Sequence, residues 1–371
     1  MIRVLQVIGC LNRAGAETMI VNVLRNIDTQ KIQFDFLVYG DAIGDYEKEV
    51  ITYGAKVIHI QTPSSNYYQF YKNLQKVMRT NGPYKIVHAH ILFNNGFILR
   101  AAYKTGIPNR ISHSHSTQNR INEMILTRFY AYIMRKQILK YATDFFACSY
   151  RAGEFLYSKQ IFDAKGIVIN NSINTNDFSF DINIRNKVRK KMEITDKFII
   201  GHVGRFQPSK NHIFLLDIFK AVHDRNKDSV LLLVGDGELR PQIEKKIADL
   251  DLIDSVILTG VRADTAELYQ AMDVFVFPSL FEGLGIVAIE AQAAGLPCIV
   301  ANTIPREAFI TDLIKSVPLE EPPEVWSTEI LKYKEGFERK DTSEQVRQAG
   351  YDTKEQAKWL EEFYLSRGVE N

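Results

Sequence analysis

Phe277-Pro278-Ser279-Leu280-Phe281-Glu282-Gly283-Leu284-Gly285-Ile286-Val287-Ala288-Ile289-Glu290 is the stretch that decides how this chain of 371 residues folds. The preceding Val274-Phe275-Val276-Phe277 is β-branched and aromatic, which predicts a buried strand, and Pro278 stops it. A carboxylate, Glu282, follows. The Gly283-Leu284-Gly285 turn then leads into an apolar helix, expected to begin near Leu284, that carries Glu290 about two turns in. The first N–H groups of such a helix point back toward the strand end. Glycines let a ligand approach the backbone there, and the helix dipole favours an anion. One acid beside a phosphate site and another further along suit a ligand with hydroxyls flanking its phosphates. A sugar nucleotide is such a ligand.

Working outward, the same alternation of short apolar runs and amphipathic segments fills the chain. Before residue 170 it predicts strands at Val4–Ile8, Phe34–Val38, Val57–Ile60, Ile86–Ala89, Arg110–Ser114, Phe145–Cys148 and Ile167–Ile169. After it, strands are expected at Phe198–Val203, Val230–Val234, Val256–Leu258, Val274–Phe277 and Cys298–Val300. Strand, helix, strand in repeated order implies parallel sheets with helices on both faces. The polar stretch 170–177 breaks the pattern and reads as a linker. The expectation is an α/β protein of two Rossmann-like, doubly wound domains, 1–176 and 177–353, facing across a cleft at the carboxyl ends of their strands. A strongly patterned helix at 354–371 closes the chain.

Hydrophobic content of 46% and charged content of 24% fit a water-soluble globular protein. No apolar run reaches the roughly 18 residues of a membrane span. The first eight residues read as a strand, not a signal peptide. Cys10, Cys148 and Cys298 are widely spaced among apolar neighbours and read as core residues of a cytoplasmic protein. The net charge of +2 hides an asymmetry: residues 1–176 carry +10 and the remainder −8. The halves therefore either meet different partners or differ only in solvated surface charge. A nearly balanced total and no stacking-aromatic motif argue against nucleic acid.

Gly204-Arg205-Phe206-Gln207-Pro208-Ser209-Lys210-Asn211 follows a predicted strand of the same sheet as Glu282. Arg205 offers a fork and Lys210 a point charge to a diphosphate, and Ser209 is expected to cap the next helix. Gly235-Asp236-Gly237-Glu238 reads as a tight turn more readily than as a cation site. No cluster has zinc spacing, so no metal is expected. In the first half, Asn12-Arg13-Ala14-Gly15-Ala16-Glu17-Thr18 lies between strand and helix, and Gly15 is either a phosphate approach or a plain turn. The fingerprint G-x-G-x-x-G is absent, which weakens a nicotinamide reading. His88, His90, His113 and His115 end two adjacent predicted strands. Each His-x-His is read as sending its two rings to opposite faces, so that one of each pair reaches a given site. Segment 119–141 mixes apolar residues with Arg120, Arg128, Arg135, Lys136 and Lys140. It is either a surface for anionic lipid or a core helix with a solvated face.

Taken together these residues resemble the family 4 glycosyltransferases, which have the GT-B fold. The resemblance spans nearly the whole chain. It rests on Glu282-x7-Glu290 with Gly283-Leu284-Gly285, on Gly204-Arg205-Phe206-x3-Lys210-Asn211, and on Pro278-Ser279-Leu280 and Asn171-Ser172-Ile173-Asn174. Ala14-Gly15-Ala16-Glu17-Thr18 is similar to the family's Gly-Gly-x-Glu-Thr, with Ala14 replacing the first glycine. The resemblance implies that Arg205, Lys210, Gly15 and the Gly283–Gly285 turn bind the donor, that Glu290 holds its ribose, and that Glu282 and His115 sit at the transferred sugar. It also implies retention of anomeric configuration, no bound metal or other cofactor beyond a nucleotide-sugar substrate (a UDP-sugar first), and a final helix that crosses back to the first domain. Arg110-Ile111-Ser112-His113-Ser114-His115 looks most like transferases of exopolysaccharide and capsule assembly. Where many members have a Gly-rich turn after Pro297, this chain has Asn302-Thr303-Ile304-Pro305-Arg306-Glu307.

The expected activity is transfer of a hexose from a nucleotide-diphosphate donor to a lipid-linked oligosaccharide at the inner membrane face. The rivals are a sugar-nucleotide epimerase or hydrolase on the same plan, and a non-catalytic nucleotide-sugar sensor.

Overall fold

A computed structural model describes residues 1–62, 66–116 and 125–369. The chain divides into two compact units. The first comprises Met1–Ile173 with Thr353–Asn371, and the second Asn174–Asp352. The boundary within the polar linker thus falls at Ile173 rather than Asn176, and the closing helix (Thr353–Val369) is part of the first unit.

The first unit is built on seven parallel strands: β1 (Ile2–Val7), β2 (Ile32–Tyr39), β3 (Val57–Ile60), β4 (Ile86–Ala89), β5 (Asn109–Ser114), β6 (Asp144–Ala147) and β7 (Gly166–Val168). Their order is β3-β2-β1-β4-β5-β6-β7, so the winding reverses between β1 and β4. Both faces are covered, which is why these strands read as continuous apolar runs rather than alternating ones. Leu5, Val7, Val87 and Ala89 face one core cluster; Val4, Phe34, Phe36, Ile86, Ile111 and Phe146 face the other. The second cluster is completed by the helix Gly15–Asn26 and by Ala357, Leu360 and Tyr364 of the closing helix.

The second unit repeats the plan with β8 (Phe198–Val203), β9 (Ser229–Val234), β10 (Val256–Leu258), β11 (Val274–Phe277), β12 (Cys298–Ala301) and β13 (Ile314–Val317). Their order is β10-β9-β8-β11-β12-β13, reversing between β8 and β11. In doubly wound sheets, ligands bind outside the carboxyl ends of the strands at such a reversal. The edge strand β13 escapes a reading by apolar runs because Lys315 and Ser316 interrupt it. The helix Ile182–Lys191 escapes likewise, because five of its ten residues (Arg185, Lys187, Arg189, Lys190 and Lys191) are basic. No helix among the described residues is long and apolar enough to cross a membrane.

Candidate active site

In the second unit both predicted loops leave the sheet at its reversal point. β8 runs into Gly204–Asn211 and its neighbour β11 into Pro278–Gly285. Parallel pairing puts the two loops at the same sheet edge, and there Lys210 Nζ donates to Glu282 Oε1 at 2.6 Å. Both side chains are mostly covered, at 14% and 12% exposure. Leu280 N donates to Ser209 O at 2.8 Å and ties the loops by backbone. Asn211 adopts a left-handed conformation (φ 57°), which asparagine tolerates better than most residues. Its amide reaches Pro278 O at 3.1 Å. Ser209 does not cap a helix. It lies in a 3-10 turn (Pro208–Lys210), its hydroxyl accepts from Gln207, and Asn211 takes the N-cap position of the helix His212–Arg225.

Arg205 is exposed, and its guanidinium has no partner among the described residues. The loop that presents it is held from beneath by Gly235-Asp236-Gly237. A Cβ on Gly235 would stand 2.1 Å from Gly204 O, and one on Gly237 2.5 Å from Phe206 O. Asp236 closes this turn, accepting from Gly237 N at 2.7 Å and pairing with Arg240 at 3.0 Å. The turn reading therefore accounts for the glycines and for the aspartate.

The helix after Glu282 begins at Ile286, two residues later than the sequence suggests, because Gly285 takes a left-handed N-cap conformation (φ 85°) that only glycine adopts freely. The amides of Gly283, Leu284 and Gly285 have no hydrogen-bond acceptor among the described residues. Nothing would touch a Cβ on Gly283 within 4 Å, so that side of the turn is open. Glu290 is half-buried and accepts from the Tyr269 hydroxyl at 2.9 Å. Burial pushes its carboxyl up to about 7, against the opposing pull of Tyr269 and Lys210. His202 on β8 donates through Nδ1 to Val276 O at 2.9 Å, which leaves Nε2 bare and unpartnered. A Cβ on Gly204 would crowd that nitrogen at 3.2 Å.

In the first unit Gly15 is the exposed first residue of its helix, with Ala14 as N-cap. A Cβ there would lie 3.6 Å from Asn171 Nδ2, an ordinary contact, so the position is roomy rather than forced. The four histidines are together, contrary to the expectation that each pair splits across the sheet. A strand has a period of two, so residues i and i+2 share a face. Ring centroids are 4.2 Å apart for His88 and His90, and 4.0 Å for His113 and His115. They lie at the ends of β4 and β5, next to the β1/β4 reversal, and His88 touches Tyr364 of the closing helix. Nitrogens of His88, His90 and His113 fall within 4.8 Å of one another, a grouping that sequence spacing did not disclose. Burial drives all four imidazoles toward the neutral form, His115 to about 3.

Of segment 119–141, residues 119–124 and the side chains of 125 and 126 lie outside the described residues; the rest is the helix Ile125–Tyr141. Met134 and Ile138 are buried on the core. Arg135 is spent on the carbonyls of Phe155 and Leu156. Arg128, Phe129, Tyr132, Lys136 and Lys140 form an exposed outer face.

Comparison with known proteins agrees with this geometry. Residues 13–177 match the family described as Glycosyltransferase Family 4, and residues 184–351 the one described as Glycosyl transferases group 1. The chain is 35% identical over 359 residues to EpsF of Bacillus subtilis (strain 168), named as a glycosyltransferase, covering 95% of this chain and 94% of that one. The chain belongs to the family 4 glycosyltransferases. This glycosyltransferase is also 37% identical over 139 residues to the UDP-Gal:alpha-D-GlcNAc-diphosphoundecaprenol alpha-1,3-galactosyltransferase of Escherichia coli, 36% of each chain. Among solved structures, Anabaena HepE in complex with UDP and glucose superposes with a TM-score of 0.75 over 99% of this glycosyltransferase and 100% of HepE, at 18% identity. That likeness is one of fold, the two Rossmann-like domains of GT-B.

Proposed function

We propose that this chain transfers a hexose, with retention and without a metal, from a UDP-sugar to a lipid-linked saccharide during assembly of an exopolysaccharide or capsule. The observation that carries the reading is the Lys210–Glu282 pair at the β8/β11 reversal, beside three amides that lack acceptors among the described residues. A pyrophosphate set there gains negative charge as the glycosidic bond breaks. Lys210, Arg205 and the amino end of the helix Ile286–Ala293 stabilise that charge without rearranging. Glu282 shares Lys210 with the phosphate and stands at the transferred sugar. Glu290 holds the ribose hydroxyls, and Gly15 lets the donor approach the first unit's backbone. His115 meets the sugar near its reacting carbon. The acceptor attacks from the face the phosphate leaves, and the departing phosphate takes its proton. The UDP-sugar and lipid diphosphate in the name of the Escherichia coli relative support both substrate classes. The exposed aromatic and basic face of the helix Ile125–Tyr141 supports docking on anionic lipid, at the cytoplasmic side where nucleotide sugars are found.

The test is a panel of radiolabelled UDP- and GDP-sugars with and without a saccharide-diphospholipid acceptor. Acceptor-dependent transfer from one UDP-sugar, with an α product from an α donor, is expected. Free sugar released equally without acceptor would replace this reading with a hydrolase, and tight binding without turnover would replace it with a sensor.

A further inference from the structure

The histidine cluster carries more information than the presence of His115 near a sugar, because its protons can be placed. Gln6 sits in the run Val4-Leu5-Gln6-Val7-Ile8, a polar side chain only 1% exposed on the interior strand β1. Its amide touches two chains of hydrogen bonds. The carbonyl Oε1 lies 2.9 Å from His90 Nε2. A carbonyl accepts only, so His90 carries its proton on Nε2 and, being neutral, has a bare Nδ1. That Nδ1 is 2.8 Å from His115 Nε2, which must therefore donate. His115 is left with a bare Nδ1 that has no partner among the described residues. On the other side, Gln6 Nε2 donates to the Tyr364 hydroxyl at 3.4 Å. Tyr364 gives its own proton to His88 Nδ1 at 2.8 Å, and His88 Nε2 donates to His113 Nδ1 at 3.2 Å. His113 ends this branch with an Nε2–H that has no partner among the described residues.

We propose that Gln6 is a positioning residue that, through His90, fixes His115 as the Nε2–H tautomer, so that its Nδ1 accepts a hydrogen bond from a hydroxyl of the bound sugar. The role of the sugar contact rests on the function proposed above; the tautomer does not. Nδ1 is covered and its accepting capacity is unspent, while the ring as a whole is half-exposed at the rim of the cluster. An acceptor nitrogen selects for an O–H at that point and against an ether or a deoxy position, which makes Gln6 a specificity determinant without touching substrate. Tyr364 lies on the closing helix, so the second branch also fastens that helix to the sheet.

Selective ¹⁵N-histidine labelling of the full chain, read by long-range ¹H–¹⁵N correlation, tests this directly. In wild type His115 should be neutral at pH 7 with Nε2 protonated, and its Nδ1 signal should move upfield when the donor binds. Gln6→Leu should give a mixture of His115 tautomers and lower kcat by about 3- to 10-fold with donor KM little changed, as loss of one neutral hydrogen bond predicts. Tyr364→Phe should alter His88 and His113 but leave the His115 tautomer in place, and it keeps the test decisive where Gln6→Leu fails to fold. An Nδ1–H His115 in wild type would mean the amide is reversed and would overturn the proposal. So would stoichiometric transition metal in the purified protein, since the grouped nitrogens include one of His90 and the relay uses both of its nitrogens. Full turnover by His115→Ala, with the Nε2–H tautomer observed in wild type, would remove the sugar contact and leave the relay standing.

Discussion

Lowering the pH from 7 to 5 should loosen the first unit far more than the second. His88, His90, His113 and His115 are held neutral by burial, His115 down at about 3, whereas an unfolded histidine titrates near 6.5. The folded pKa lies below the unfolded one. The stability these groups contribute is therefore complete above pH 6.5 and lost as the pH falls from there toward the folded values. Between pH 7 and pH 5, each histidine that stays neutral in the folded chain costs about 2 kcal/mol, because the unfolded state takes up a proton that the folded state refuses. Four of them would cost at most about 8 kcal/mol, offset in part by Glu17, raised by burial, and His59, raised by its bond to the Gly40 carbonyl, against a total stability of about 5–15 kcal/mol for an ordinary domain. The second unit loses less. His202 and His212 act in the same direction, His212 being lowered to about 4. Glu290 acts in the opposite one: its folded value of about 7 exceeds the unfolded 4.5, so its contribution is complete below 4.5 and is lost as the pH rises through 7. Over the same interval it returns about 2 kcal/mol. The assay is hydrogen exchange by mass spectrometry at both pH values, corrected for intrinsic rates. It would follow peptides across β4 and β5 against peptides across β8 and β11, with urea melts of the whole chain alongside. Equal stability at the two pH values, or a loss concentrated in β8 and β11, would refute the reasoning. His113→Gln should flatten the pH dependence by about one proton.

Four further outcomes follow from the second unit. Lys210→Ala removes a charge-assisted contact of about 1.5–3 kcal/mol and leaves Glu282 facing the phosphate unpaired. Calorimetric titration should show UDP binding weakened by about 10- to 150-fold, and uridine binding hardly at all. Arg205→Ala should do the same more mildly, because its guanidinium is exposed. Glu290→Ala should raise the KM of a ribonucleotide donor more than that of its 2′,3′-dideoxy analogue; equal effects would detach Glu290 from the ribose. Turnover should survive EDTA, and loss that Mg²⁺ restores would return attention to Asp236 and Glu238.

The strand ends and the glycine-flanked carboxylates were legible in the sequence because period and punctuation are local. Pro278, Gly283 and Gly285 mark where a strand stops and a helix starts, and the paired loops follow from parallel connectivity. What could not be read was which side chains meet. Tyr269 reaches Glu290 from a different helix, 21 positions away. Lys210 meets Glu282 across 72 positions. Gln6 carries a signal of its own: a lone amide in an otherwise apolar strand has to bond something, and its partners are His90, just past β4, and Tyr364. The histidine pairs were misplaced by an error of parity, not by want of pattern. β13 is not legible because an edge strand with a solvated side need not be uniformly apolar.

The first unit is written in two pieces of chain, and the second lies wholly between them. Tyr364 occupies the core beside His88, yet a ribosome has to make all of residues 174–352 before it exists. A nascent chain halted anywhere in that interval holds a finished set of seven strands with one face bare and its histidines unwired. A chain shortened near residue 353 loses the Tyr364 contact to His88, 276 positions upstream, where no sequence has changed.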